Sequence, residues 1–307
     1  MSTVSRRLRD GLSAVLVALS CLLVPFGTLA AWATYGLTDT GRYVTAMAPL
    51  AGDPHVRDAV ADTVGDGIVR AAAAGRPMSA DVRPFVRAAV RSFTRTRAFR
   101  VAWDAGNRIT HDAVLRALQQ DGDPRGRPVT VDLAPVTAQV KRQLAHDHVP
   151  LADRIPVEHT SVAVLAADEL ARYRKGFHML ELAGFWLPVT TVASAALGIG
   201  LAVRRRRAVT ATALGTALGG AVLAVALSLG RRLTLSGLPP DAPHPAAAAV
   251  YDALTADLRT ASWLLVALGL AAALTAYLTR RVRRAPPGPG SAAPPSAPAP
   301  TPTRARA

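Results

Sequence analysis

The residues best suited to bind a metal ion form a histidine-rich stretch near the middle of the chain. His146, Asp147 and His148 are consecutive, and His159 follows within a polar segment. Zinc accepts imidazole and carboxylate ligands, but the stretch lacks the ligand spacing of known zinc motifs, so a solvated loop is the competing interpretation. We keep His146, His148 and His159 as metal-ligand candidates and otherwise expect no cofactor.

The chain carries none of the sequence signatures of common enzyme classes. It has no G-x-S-x-G, H-E-x-x-H, Walker or G-x-G-x-x-G motif. Its one cysteine, Cys21, lies in an apolar block, which excludes a cysteine nucleophile. The sequence therefore favours a non-enzymatic protein, with a metal-dependent enzyme as the alternative if the histidines do bind an ion.

The apolar residues are collected in four blocks that contain no charged residue and no histidine. Each block is near the roughly 20 residues that a membrane-spanning helix needs. This organisation excludes a soluble enzyme, a disulfide-stapled secreted domain and a nuclear protein. The predicted transmembrane helices are residues 11–32, 182–203, 208–229 and 262–279.

The net charge of +15 is distributed according to compartment. Residues 1–10, the arginine turn at 204–207 and the basic, proline-rich tail at 280–307 hold 13 basic residues against one acidic residue. The segments 33–181 and 230–261 are close to neutral. The positive-inside rule then places both termini in the cytoplasm of a multi-pass cell-membrane protein, and it removes nucleic acid as the explanation of the charge.

The first apolar block has two interpretations. Thr28, Leu29 and Ala30 offer small residues where a signal peptidase could cleave. The apolar stretch nevertheless continues through Trp32 and reaches full spanning length, so we favour an uncleaved signal anchor.

Residues 33–181 are long enough to form an extracytoplasmic domain with its own core. Asp53 followed by Pro54 predicts the start of a helix over 54–73, and a second helix should present Phe85 and Phe93. The runs at 129–133 and 161–165 alternate like strands that could pair. The sequence thus predicts a mainly α fold, with a four-helix transmembrane bundle plus a mostly helical extracytoplasmic domain containing a small two-stranded element.

Two charged stripes with four-residue spacing stand out in this domain. One lies on each of its first two helices, and their partners are in register for an antiparallel hairpin. Three interpretations are open: solvated faces, which we favour because each stripe lies opposite an apolar face, a salt-bridge ladder, and an arginine patch that contacts an anionic surface. The stripes are Asp58, Asp62 and Asp66, and Arg83, Arg87, Arg91 and Arg95.

The spans offer two further patterns. Ala211, Gly215 and Gly219 make one face of the third span small, which favours packing within the bundle, with self-association as the alternative. Between the third and fourth spans, a short helix containing Tyr251 and Leu258 should rest on the membrane surface. Threonines that could line an oligomeric pore are Thr190, Thr191, Thr210, Thr212 and Thr216.

Several short segments resemble the uncharacterised actinobacterial integral membrane proteins of Streptomyces type. The resemblance covers the chain up to about residue 284 and implies a cell-membrane protein with one large outward domain; it implies no catalytic residue. The segments that carry it are 39–44, 48–51, 53–56, 131–136 and 250–254.

We therefore expect a protein of the lipid bilayer whose extracytoplasmic domain binds another envelope component. Its partner is either an envelope protein or a second copy of the chain. The alternative function is a transporter or channel component that acts as an oligomer, although spans without charged residues argue against proton coupling.

Overall fold

A computed structural model describes residues 3–73, 82–119, 129–147, 157, 159, 161–165 and 167–282. Helices dominate these residues. In chain order the elements are α1 (Thr3–Gly36), α2 (Thr40–Met47), a 3-10 helix (Ala48–Gly52), α3 (Pro54–Ala73), α4 (Val82–Phe93), α5 (Arg97–Gln119), β1 (Val129–Asp132), α6 (Ala134–His146), β2 (Ser161–Leu165), α7 (Ala167–Leu201), α8 (Arg205–Ser236) and α9 (His244–Val282). His148 and the tail beyond residue 282 lie outside the described residues.

Four of these helices, α1, α7, α8 and α9, are long and apolar enough to cross a membrane. The chain is therefore a multi-pass membrane protein. Each of the four contains one of the predicted apolar blocks. An uncharged run of this length in lipid has no water to bind its backbone, so it forms a helix whose N–H and C=O groups bond to each other.

The four long helices pack as two antiparallel pairs, α1 with α7 and α8 with α9, and α1 also contacts α8. Helices α7 and α8 share few contacts although only 202–204 separates them. Spans two and three are therefore consecutive antiparallel helices, but each packs mainly on another helix. Arg205 to Arg207 also belong to the first turn of α8 and not to a turn between the helices.

Helix α9 corrects a second expectation. The predicted short helix around Tyr251 does not lie separately on the membrane, because it is the first part of one uninterrupted helix of 39 residues. At 1.5 Å per residue this helix is about 58 Å long, well beyond the roughly 30 Å of a bilayer core. Its first turns are covered by other helices, and Leu258 is buried against Leu223 and Leu227 of α8.

The elements between the first and second membrane helices form a unit that we call the inter-span unit (residues 37–166). Its core joins Met47, Leu50 and Val56 to Ala246 at the start of α9. The indole nitrogen of Trp103 donates a hydrogen bond to the Met47 carbonyl at 2.9 Å. The unit is thus packed onto the end of α9 rather than tethered to the bundle by chain connections alone.

Local sequence explains where the elements of this unit begin. The Asp53 carboxylate accepts hydrogen bonds from the backbone N–H groups of His55 and Val56, which caps α3 at the predicted residue. Strands β1 and β2 pair antiparallel, with Val131 opposite Val162. Helix α7 begins at Ala167, directly after the unit, and continues without interruption into the second span.

Glycines allow the membrane helices to approach closely. A methyl group on Gly269 of α9 would lie 2.5 Å from the Ala213 carbonyl oxygen and 2.7 Å from the Ala217 nitrogen of α8. A methyl group on Gly220 of α8 would lie 2.7 Å from the Ser262 carbonyl oxygen. Such small-residue contacts drive helix association in lipid, where hydrophobic attraction between helices is lost.

Replacing Gly269 by alanine should therefore destabilise the protein. We expect a loss of about 1–3 kcal/mol in the free energy of unfolding, because the methyl group meets α8 backbone that has no room to move. Denaturation of the purified protein in detergent measures this loss. Gly200→Ala is the matched control, since nothing lies within 4 Å of a methyl group there; equal stability of the two variants would contradict the prediction.

Candidate functional site

Helices α3 and α4 form a hairpin whose two helices approach through a glycine. A methyl group on Gly65 of α3 would lie 3.0 Å from Cγ and 3.5 Å from Cα of Arg87 on α4. The contact falls between the apolar and the charged faces of each helix. The hairpin consequently has a charged side and an apolar side, and neither is fully buried.

The charged side carries a partial salt-bridge ladder. Arg87 Nη2 lies 2.7 Å from Asp66 Oδ1. Arg91 lies 3.1 Å from Asp58 and 3.9 Å from Asp62. Arg87 and Arg91 therefore form part of the ladder, while both stripes also stay exposed to solvent, as the preferred interpretation expects.

The pairing affects the ionisation of one carboxyl group. A hydrogen bond from the Arg87 guanidinium lowers the pKa of Asp66, and the positive charges of Arg70 and Arg83 act in the same direction. The side chains of Arg87 and Asp66 stay 42% and 39% exposed. The ladder thus orients α4 on α3 without removing the charges from solvent.

Two arginines of the charged stripe, Arg83 in α4 and Arg95 just beyond its end, are exposed. Neither forms a salt bridge with any residue that the structure describes. Helix α4 contains no acidic residue. These two arginines therefore add positive charge near the two ends of α4.

The apolar side of the hairpin is buried at one end and open at the other. Val56 is buried in the core of the inter-span unit, whereas Val64 and Ile68 are 43% and 45% exposed. Phe85, opposite Ile68 in the hairpin register, is 73% exposed. The expectation that the faces Val56 to Ile68 and Phe85 to Phe93 both enter the core is thus wrong for their outer halves. We call Val64, Ile68 and Phe85 the apolar strip.

An open groove lies beside this strip, between the hairpin and α5. Its volume is about 420 Å³, within the range typical of binding pockets. Val64 belongs to both the strip and the groove wall, and Phe93, Phe99 and Trp103 form the base. Strip and groove therefore make one continuous apolar surface.

His146 and His159, the two metal-ligand candidates that the structure describes, lie in separate polar contacts. His159 Nδ1 lies 2.6 Å from Asp132 Oδ2, while His146 Nδ1 lies 3.6 Å from its neighbour Asp147. No group of three metal-ligating side chains occurs in the described parts of the chain. The backbone N–H of Ala134 and then the hydrogen bond with His159 lower the pKa of Asp132.

Sequence reasoning missed a polar cluster where α1 meets the inter-span unit. Thr40 Oγ1 lies 3.1 Å from His111 Nδ1 and donates a hydrogen bond to Asp112. His111 Nε2 lies 2.9 Å from the Leu37 carbonyl oxygen, and the His111 ring stacks on Tyr43. In a catalytic triad the carboxylate would orient the imidazole; here a backbone carbonyl does so. The cluster therefore joins helices. No sequence motif could predict it, because Thr40 and His111 are 71 residues apart.

Gly215 and Gly219 on the small-residue face of the third span pack against α1, whereas Ala211 is exposed. A methyl group on Gly215 would overlap the Cys21 side chain of α1, and one on Gly219 would lie 3.0 Å from Val24. Ala211 lines a cavity beside α1 that also includes Asp10. Gly220 and Gly269, which the sequence pattern did not single out, face the α8–α9 contact.

Comparison with known proteins adds no functional site. No protein-family model, no curated protein and no solved structure matches this chain. The resemblance to Streptomyces-type membrane proteins stays a prediction. The function must be inferred from the surfaces and cavities that the chain itself builds.

The Asp66–Arg87 pair predicts a specific pH dependence. Because the folded-state pKa of Asp66 is lowered, its contribution to stability is present above the unfolded Asp pKa of about 3.9 and is lost as the pH falls through the folded value. Asp66→Asn should therefore lower the melting temperature at about pH 6 and lose this effect towards about pH 3.

Thermal melts of the purified protein across this range test the pair. Asp241→Asn is the control, since Asp241 is exposed and has no salt-bridge partner among the described residues. A melting-temperature difference between wild type and Asp66→Asn that stays constant with pH would contradict the assignment.

Proposed function

We propose that this chain is a non-enzymatic protein of the cell membrane whose inter-span unit lies outside the cell and binds a partner protein of the envelope. The apolar strip and its groove form the binding surface. The observation that carries the proposal is the exposure of Phe85 at 73%, together with Val64 and Ile68 at the same edge of the hairpin. Contiguous exposed apolar side chains on a folded surface mark interaction sites.

The surface has the composition of a protein-binding site. Aromatic and arginine side chains are enriched where most of the binding energy of interfaces arises. Here Phe85 and the groove aromatic Phe93 lie on the same helix as Arg83, and Arg95 follows just beyond its end. We infer that the partner contributes an apolar segment flanked by acidic residues, because complementary charge steers association.

Charge supports the proposed orientation. The basic residues Arg205 to Arg207 lie at the end of the bundle away from the inter-span unit. Placing that end in the cytoplasm satisfies the positive-inside rule and puts the inter-span unit outside.

The alternative of an oligomeric transporter or channel receives less support. Of the five threonines considered for a pore, Thr191, Thr212 and Thr216 line one cavity. Each donates its hydroxyl proton to a carbonyl of its own helix. Thr190 is exposed, Thr210 is half-buried, and neither lines this cavity, so the five do not line one path.

A photo-crosslinking amino acid at position 68 tests the binding surface in the native membrane. We expect a reproducible adduct with one envelope protein, and we expect Phe85→Asp to reduce that adduct by about 30-fold or more, since central aromatic anchors contribute about 2 kcal/mol or more. Phe85 is mostly exposed, so the variant should keep the wild-type melting temperature.

The matched control places the same crosslinker at position 100, on the exposed surface of α5. An adduct from position 68 that persists in Phe85→Asp, or that forms equally from position 100, would contradict the proposed surface. Adducts only between copies of the chain, formed through the membrane helices, would favour the oligomeric alternative.

A further inference from the structure

A second cavity lies within the bundle, between all four membrane helices. Its volume is about 600 Å³. Its wall on α1 extends from Ser20 to Gly36. At 1.5 Å per residue this wall is about 24 Å long, which is most of the thickness of a bilayer core.

The wall of this cavity offers no free Ser or Thr hydroxyl donor, although five Ser and Thr hydroxyl groups contribute to it. Each of these hydroxyls donates its proton to a backbone carbonyl of its own helix, at 2.7–3.0 Å. Their donors are therefore used, and the remaining wall is made mostly of Ala, Val, Leu and Gly. The hydroxyls belong to Ser20, Thr28, Thr191, Thr212 and Thr216.

The mouth of the cavity differs from its wall, because it carries two opposite charges. Arg42 of α2 and Asp257 of α9 both line it, and both are exposed. Neither side chain forms a salt bridge or hydrogen bond with the residues that the structure describes. Trp32 and Tyr35, residue types that favour the membrane–water interface, lie at the same level.

From this arrangement we infer that the cavity binds one zwitterionic aminophospholipid. An acyl chain lies against the apolar wall that all four helices contribute. The phosphate of the headgroup pairs with the Arg42 guanidinium, and its ammonium group donates hydrogen bonds to the Asp257 carboxylate. A purely anionic lipid would meet Asp257 with like charge, and a lipid without a phosphate would leave Arg42 unpaired. A quaternary ammonium has no N–H group to donate to Asp257, so a primary ammonium headgroup fits best.

The inference extends beyond the proposed binding of a partner protein and does not depend on it. The cavity lies in the bundle, whereas the apolar strip lies on the α3–α4 hairpin. The two sites share no lining residue.

Native mass spectrometry of the full-length protein tests the lipid site. The protein is released from nanodiscs made of equal parts phosphatidylethanolamine, phosphatidylglycerol and phosphatidylcholine. We expect one phosphatidylethanolamine to stay bound in preference to the other two lipids. Arg42→Gln and Asp257→Asn should each reduce its retention by about tenfold, as expected for loss of one charge-assisted hydrogen bond.

A cavity-filling variant tests the chain-binding wall separately. Ala195→Phe places an aromatic ring into the cavity and should abolish retention of the lipid. Ala193→Phe, two residues away on the exposed surface of α7 and outside the cavity, should retain it. Arg100→Gln and Asp241→Asn are the controls for the loss of an exposed charge.

The outcomes separate cleanly. Equal retention of the three lipids, a preference for phosphatidylglycerol, or unchanged retention in Asp257→Asn would overturn the headgroup assignment. Equal retention in Ala195→Phe and Ala193→Phe would overturn the cavity assignment. The melting temperatures of Arg42→Gln and Asp257→Asn, whose side chains are exposed, should equal that of the wild type, so that a loss of lipid is not a loss of fold.

Discussion

The close contact between α8 and α9 determines how the rest of the molecule is arranged. In the membrane, Gly220 and Gly269 let the two backbones approach to the limit set by main-chain atoms. Further along, Tyr251 donates a hydrogen bond to the Leu227 carbonyl. Because α9 then continues into the core of the inter-span unit at Ala246, the position of that unit depends on the packing of two membrane helices.

Helices α1 and α7 are also held together by close contacts at glycines. Methyl groups on Gly184 and Gly198 of α7 would collide with Thr34 and Val17 of α1. Helix α7 therefore packs against α1 and makes fewer contacts with α8, which follows it in the chain. The main contacts link the helices in the order α7, α1, α8 and α9, and few contacts join α7 to α9. The cavity in the bundle is lined by all four helices.

Local patterns in the sequence predict much of this fold. Uncharged runs indicate the four membrane helices, and the Asp53–Pro54 cap indicates the start of α3. The features that the sequence did not predict are those that depend on which helix surfaces pack together. The apolar stripe around Tyr251 is equally compatible with a membrane surface and with a neighbouring helix. The rotation of α4 on α3 is set by the small size of Gly65, and this rotation decides that Arg87 pairs while Phe85 stays exposed.

The charged residues also show that the role of a single residue depends on its partners in the fold. Arg231, like its neighbour Arg232, violates the positive-inside rule, because it follows the third span on the side that we propose to be the exterior. In the fold the Arg231 guanidinium forms a two-bond pair with Asp252 of α9, both bonds at 3.0 Å, and Arg259 binds the same carboxylate. The single carboxylate offsets part of the charge of these two guanidinium groups. The α8–α9 contact therefore accounts for Arg231, whereas Arg232 is exposed and has no salt-bridge partner among the described residues.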